Sequence, residues 1–148
     1  MTPLDVDSPS VQSHLTMLQG IIERLASNSA SCKTWCVSLV SAIAVVAAQA
    51  SKVELIFVAV LPIVVFAVLD AYYLGLERRF RLSYEGFVRK LHEGTARIDD
   101  VFVVAPKASL AGFSREVFQA FSSFSIWPFY IGLALVLAVL ARRLVGSG

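Results

Sequence analysis

CVSLVSAIAVVAAQA (residues 36–50) and LIFVAVLPIVVFAVL (residues 55–69) are apolar stretches separated by only four residues, SKVE. Each is close to the roughly 20 residues with which a helix crosses about 30 Å of hydrocarbon. The short, mostly polar break between them is typical of a tight turn on the far side of a bilayer. A third apolar stretch, SIWPFYIGLALVLAVLA, covers residues 125–141. A soluble chain of 148 residues could not bury three such segments in its core, so the sequence predicts an integral membrane protein.

The composition agrees with three spans, with 57% hydrophobic residues and a mean hydropathy of +0.71. The polar part, roughly residues 1–32 and 77–124, is too small for a conventional enzyme domain. The sequence has no nucleophile motif, no HExxH motif and no phosphate-binding glycine loop, so we expect no enzyme, no catalytic residue and no cofactor. Cys32 and Cys36 lie one turn apart without a nearby histidine. This pattern favours reduced, packed thiols over a metal site.

The distribution of positive residues predicts the orientation. With the N-terminus in the cytoplasm, only Lys52, Arg142 and Arg143 lie outside, which favours N-in and C-out by the positive-inside rule. A re-entrant third segment would instead return the two C-terminal arginines to the cytoplasm. The inside segments carry the other ten positive residues: Arg24, Lys33, Arg78, Arg79, Arg81, Arg89, Lys90, Arg97, Lys107 and Arg115.

A helix is predicted from Ser8, a good N-cap, followed by proline at the first helical position. Apolar residues then recur at spacings of four and three, which is a narrow stripe of the coiled-coil type. We therefore expect this stripe to form an interface between copies of the chain. Its members are Val11, Leu15, Leu18, Ile22 and Leu25.

The second span is expected to continue past the membrane surface as a helix until Gly94, a residue suited to helix termination. If the chain turns at residues 52–53, Lys33 faces Tyr72 and Leu18 faces Phe87. The predicted fold is an all-α membrane protein with three transmembrane helices, the first two forming a long helical hairpin that extends into the cytoplasm.

The expected segments follow the chain in order. They are a disordered N-terminus (1–8), a cytoplasmic amphipathic helix (9–31), the first span (32–50), an external turn (51–54), the second span (55–76), a cytoplasmic helix continuing it (77–94), a cytoplasmic segment with a short extended stretch and an interfacial helix (95–124), the third span (125–141) and a tail (142–148).

Asp70 is the ionisable residue of most interest, because an unpaired carboxylate near the inner end of a span is costly. The expected hairpin brings it close to Lys33, so one interpretation is a structural Lys33–Asp70 ion pair. The other is that Asp70 belongs to a cation-selective vestibule or a gating contact.

The first span is less hydrophobic than is usual for a helix that faces lipid. Ser38, Ser41, Val45 and Gln49 share one of its faces. Small residues on this face allow close packing with other helices. The alternative hypothesis is a pore lined by these four residues, in which Val45 would be a hydrophobic constriction.

A basic cluster follows the second span. Arg78, Arg79 and Arg81, beside the membrane, are explained by topology and anionic lipid. Positive residues farther along the chain can attract a phosphate-bearing ligand, with Tyr84 and Phe87 available to stack bases; a solvated helix face is the alternative. The candidate ligand-binding residues are Arg78, Arg81, Tyr84, Arg89, Lys90 and Arg97.

Two stretches, HLTMLQGIIERLASNSASCKTWC (14–36) and LDAYYLGLERRFRLSYEGFVRKLHEG (69–94), resemble small three-span membrane proteins of bacterial antiphage defence loci, in particular the Hailong-type effectors. The resemblance rests on general pattern and covers most of residues 14–94. It implies a partner nucleotidyltransferase that makes a nucleotide or oligonucleotide signal, and a channel in the inner membrane that short DNA oligomers hold shut.

Two functions therefore remain open. The first is a homo-oligomeric, signal-gated channel, expected to be a tetramer, because one copy with three spans cannot enclose a water path. The second is a non-conducting membrane anchor that recruits a cytoplasmic partner.

Overall fold

The computed structural model describes residues 4–103, 121 and 125–146, and their secondary structure is helical, without strands. Helix α1 spans Pro9–Ala50, α2 spans Glu54–Val58, α3 spans Val60–His92 and α4 spans Trp127–Gly146, with a 3-10 turn at Ile98–Asp100. Among the described residues, three helical segments are long and apolar enough to cross a membrane: α1, α2 with α3, and α4.

Helix α1 is continuous from the predicted cap to the end of the first apolar stretch. The Ser8 hydroxyl accepts from the Val11 N–H at 3.4 Å, and Pro9 opens the helix. Ser51 ends it in the left-handed conformation (φ 51°). Its 42 residues rise about 63 Å, roughly twice the thickness of a bilayer's hydrocarbon core. About half of α1 is therefore long enough to cross the hydrocarbon of a bilayer.

The second candidate span is interrupted at Ala59, between α2 and α3. Pro62 explains the interruption, because its ring clashes with the carbonyl of the residue four positions earlier, Val58, and it has no N–H to donate. In α3 itself Pro62 lies in the first turn, where proline is tolerated.

Helices α1 and α3 contact each other along most of their length. The Gln19 amide donates to the Tyr84 hydroxyl at 3.1 Å, and the Cys36 thiol lies 3.9 Å from the Pro62 carbonyl. Partners on α3 move toward its N-terminus as those on α1 move toward its C-terminus, so these contacts are antiparallel.

The register differs from the expected one. Phe87 contacts His14, with ring centroids 4.6 Å apart, and packs with Val11 and Leu15. The register expected from the sequence places Leu18 opposite Phe87 instead. The shift is one helical turn. Apolar stripes that repeat every three or four residues present the same faces after a shift of one turn. The apolar pattern alone therefore does not determine which turns of α1 and α3 lie opposite each other.

Among the described residues, two apolar cores hold the helices together. The larger includes Cys36 and Val40 of α1, Ile63 of α3, and Tyr130 and Leu137 of α4. The smaller, near the start of α1, joins residues of α1 and α3 to Val101 beyond α3. Large apolar side chains remain exposed on the outer faces of the candidate spans, such as Phe57 (72%), Leu61 (66%) and Val136 (65%).

Beyond α3 the chain departs from the prediction. Gly94 does follow the end of α3, with φ +65°. The extended stretch expected from Ile98, however, begins as a 3-10 turn, Ile98–Asp100. Asp100 explains the turn, since its carboxylate accepts from the Arg97 N–H at 3.0 Å and closes the backbone locally. The expected interfacial helix lies, except for Phe121, outside the described residues.

Candidate functional site

Asp70 lies at the centre of a polar cluster between the helices, with no exposed surface. The Ser29 hydroxyl donates to its Oδ1 atom. Lys33 Nζ lies 2.6 Å from its Oδ2 atom. Ser29 and Lys33 are four residues apart and so project from one face of α1. The Lys33–Asp70 pair expected from the sequence is therefore confirmed.

Helix α4 closes the cluster with Tyr130. This side chain is 6% exposed, and its hydroxyl lies close enough to Asp70 to interact with the carboxylate electrostatically. A residue from each of the three candidate spans thus meets at Asp70. This third contribution has no signal in the sequence, because a tyrosine in the first turn of an apolar helix is equally typical of an interfacial belt.

The exposure of the pair is uneven. The Asp70 side chain is fully buried, whereas the Lys33 side chain is 22% exposed. A buried ion pair adds little net stability, but the loss of one partner leaves a buried charge without compensation. The cluster therefore strongly favours the arrangement of α1 and α3 in which the ammonium reaches the carboxylate.

The candidate pore residues lie together on the outside of this bundle. Ser38, Ser41, Val45 and Gln49 are all exposed. They lie on the side of α1 opposite to Val40, whose buried face packs on α3 and α4. This face of α1 is thus not covered by the described residues of the same chain.

Several of the candidate ligand-binding residues already have interaction partners within the same chain. Arg81 pairs with Glu77 at 2.6 Å, and Tyr84 accepts from Gln19. Arg89 and Arg97 are exposed on the same part of the chain, and Arg78 is exposed and has a partner of its own. Lys90, also exposed, pairs with Asp100 at 2.6 Å. Part of the basic surface is thus neutralised by acids of the same chain.

His14 is a polar site that the sequence reading did not identify. It is 2% exposed, and its Nδ1 atom accepts from the Phe102 N–H at 3.1 Å. An accepting Nδ1 places the proton of the neutral ring on Nε2. Burial lowers the pKa of His14 from its usual 6.5. Its position, three residues after Val11 and four before Leu18, was the available signal that it lies on the apolar stripe.

The apolar stripe of α1, from Val11 to Leu25, is predicted from the sequence to form contacts between copies. In the structure Val11 and Leu18 are buried within the chain, at 0% and 1% exposure, while Leu15, Ile22 and Leu25 are half-buried. Val11 and Leu18 are therefore used for packing inside one copy. For Val11 the reason is that Val101, beyond α3, returns to α1 and packs with it.

No protein-family model, curated protein or solved structure matches this chain.

Proposed function

We propose that the chain is one subunit of a homo-oligomeric, signal-gated ion channel that depolarises the bacterial inner membrane. The observation that carries this proposal is the exposed face of α1 formed by Ser38, Ser41, Val45 and Gln49. A polar face on a membrane-spanning helix is expected to meet other helices or water rather than lipid. Four copies that turn this face toward a common axis would enclose a water path.

In the proposed assembly, α1 and α3 form a long hairpin, half in lipid and half in the cytoplasm, with the N-terminus inside and the C-terminus outside. The 42 residues of α1 support this arrangement, since half of them suffice to cross the hydrocarbon. Because the buried residues Val11 and Leu18 are used within one copy, the half-buried members of the stripe and the α1 face are left for contacts between copies.

The gate is proposed to involve the Asp70 cluster. Asp70 joins α1, α3 and α4 at one depth, so a change in the angle between the helices must either preserve or break the Lys33–Asp70 pair. A ligand shifts such an equilibrium only if it binds the two arrangements with different affinity. When the pair is broken, the carboxylate becomes available to cations entering the pore.

The controlling ligand is proposed to be a nucleotide or short oligonucleotide bound at the basic surface around Arg89, Lys90 and Arg97. All three residues are exposed, and Lys90 follows Arg89 directly in α3. Phosphate groups would interact with these cations, and the affinity would fall with rising salt. A partner nucleotidyltransferase, acting in antiphage defence, would supply the ligand.

The pore assignment is tested by cysteine accessibility in liposomes. Ser41→Cys is introduced in a Cys32→Ala/Cys36→Ala background, and ion flux is measured before and after a charged, membrane-impermeant thiol reagent. We expect the reagent to reduce flux. The matched control is Val46→Cys, which is exposed (54%) on another side of α1 and should be insensitive. Equal sensitivity of the two positions contradicts the pore face. No flux in any variant would instead support a non-conducting anchor.

Ligand control is tested with a charge-matched pair of triple variants. Arg89→Gln/Lys90→Gln/Arg97→Gln should abolish the effect of the ligand on flux and leave assembly intact. Lys52→Gln/Arg142→Gln/Arg143→Gln removes the same charge far from the proposed surface and should respond to the ligand as the unmodified protein does. Unchanged gating in the first variant would contradict the site.

A further inference from the structure

Asp100 binds to the proposed ligand surface in the manner of an anionic ligand. One carboxylate oxygen lies 2.6 Å from Lys90 Nζ, and the other accepts from the Arg97 N–H at 3.0 Å. A cationic side chain and a backbone N–H that converge on one oxyanion are also the donors that bind phosphate in proteins.

The residues around Asp100 form a segment that returns to α1, here called the return segment (residues 97–102). Val101 is 8% exposed and packs with Val11 and Phe87. Phe102 donates its N–H to His14 and has φ 63°, a left-handed conformation that is unfavourable for a bulky residue. The contact with α1 therefore holds the return segment in a backbone conformation that it would not keep when released.

We propose that Asp100 is an intramolecular competitor of the phosphate ligand, and that ligand binding displaces it and releases the return segment from α1. This inference rests on the proposed function, since it assigns the regulation of the same basic surface. The ligand class is a soluble phosphate ester, a nucleotide or oligonucleotide, whose oxyanion takes the place of the carboxylate at Lys90.

The chemistry of the contact permits this exchange. The Lys90 side chain is 47% exposed and that of Asp100 is 25% exposed, and ion pairs of such exposure are weak. A terminal phosphate carries more negative charge than a carboxylate and has three acceptor oxygens. It can therefore displace Asp100 from Lys90 while Arg89 and Arg97 supply further charge.

Release of Asp100 has a consequence for α1. The turn at residues 98–100 loses the carboxylate that closes it, and Phe102 can leave its left-handed conformation. The buried Nδ1 atom of His14 then loses its donor, so the smaller core at the start of α1 must rearrange. The return segment is thus the element through which a ligand on α3 acts on α1.

The test is binding of a fluorescent, 5′-phosphorylated deoxythymidine tetramer to the full-length protein in phosphatidylcholine nanodiscs at about 0.15 M salt. Asp100→Asn should raise the affinity about fivefold, the amount by which an exposed ion pair of this kind competes. Asp99→Asn is the matched control, because it removes the same charge from an exposed neighbouring side chain. Asp100→Glu, which retains a carboxylate, should bind as the unmodified protein does and separates competition from a change in folding.

Release is measured by hydrogen exchange of a peptide covering residues 96–103. We expect saturating tetramer to accelerate exchange in the unmodified protein, and Asp100→Asn to exchange rapidly without it. Equal affinities of Asp100→Asn and Asp99→Asn, or exchange that the tetramer leaves unchanged, would contradict the displacement of Asp100. Either result would leave the proposed ligand site in place. Absence of binding in every variant would also remove the proposed ligand site. Rapid exchange in phosphatidylglycerol nanodiscs without tetramer would identify a lipid headgroup as the displacing phosphate and overturn the assignment to a soluble ligand.

Discussion

Lys33 Nζ lies 2.6 Å from Asp70 Oδ2, and this contact joins α1 to α3 at a carboxylate with no exposed surface. The same separation, 2.6 Å, joins Lys90 to Asp100 on the exposed surface. The part of the chain that the structure describes thus contains two Lys–Asp pairs of equal length in different environments. Burial, and not distance, should determine what each contributes.

Removal of one partner from the buried pair should strongly destabilise the protein. Lys33→Met leaves the Asp70 carboxylate without compensation, so we expect a loss of about 3–5 kcal/mol of unfolding free energy. Lys90→Met, the matched control at the exposed pair, should cost at most about 1 kcal/mol. Unfolding in detergent micelles measures both. Equal losses in the two variants would contradict the burial argument.

Replacement of both partners should restore most of that stability. Lys33→Met/Asp70→Leu removes both charges of the pair, and an apolar pair of similar volume is often neutral or stabilising. If the pair is also the gate, the double variant should be stable and no longer respond to ligand. A stable double variant that still responds normally to ligand would show that Asp70 has a structural role and no role in gating.

His14 should make the start of α1 sensitive to acid. Burial lowers its pKa below the usual 6.5, so the unfolded chain takes up a proton before the folded chain does. Stability should therefore be constant above pH 6.5 and fall as the pH decreases below it. Protonation also converts Nδ1 into a donor, which cannot accept from the Phe102 N–H. Hydrogen exchange of residues 98–103 between pH 7.5 and 5.5 measures the effect.

His14→Gln should reduce this acid sensitivity, because glutamine supplies an acceptor that does not titrate. His92→Gln is the control, since His92 is exposed at the end of α3. The explanation fails if acid accelerates exchange equally in both variants.

Val45 should limit conduction if it is a hydrophobic constriction. Val45→Ser removes the dewetting barrier and should increase ion flux, whereas Val46→Ser, on another side of α1, should not. Val45 and Val46 are about equally exposed, at 55% and 54%, so the two substitutions remove a similar amount of exposed apolar surface. Flux through liposomes that is unchanged by Val45→Ser would exclude Val45 as the constriction.

The sequence predicted the helices and the buried ion pair because both depend on strong local patterns. The Ser8 cap and Gly94 mark where α1 begins and α3 ends, whereas the last helix continues past the predicted end of the third span, to Gly146. A lone carboxylate in a span requires a cation within one turn of the expected register. Asp70 and Lys33 met that requirement even though the register itself was shifted.

The remaining features depend on contacts between residues distant in sequence. The packing of Phe102 on His14 joins residues 88 positions apart, and no periodicity signals it. The 3-10 turn at Ile98–Asp100 depends on one side chain accepting from a nearby N–H, whereas the β-branched and aromatic residues that follow it favoured an extended stretch. From the sequence alone Val11 is assigned to contacts between copies, because its packing with Val101 could not be placed.

The most direct test of the proposed channel is ion flux through liposomes containing the purified, unmodified protein, before and after a high-salt wash. Salt weakens phosphate contacts and should remove a bound polyanion. We expect flux that differs between the two preparations and returns to its initial value when a phosphorylated oligonucleotide is added back. Absence of flux in both preparations would contradict the channel and leave a membrane anchor as the function.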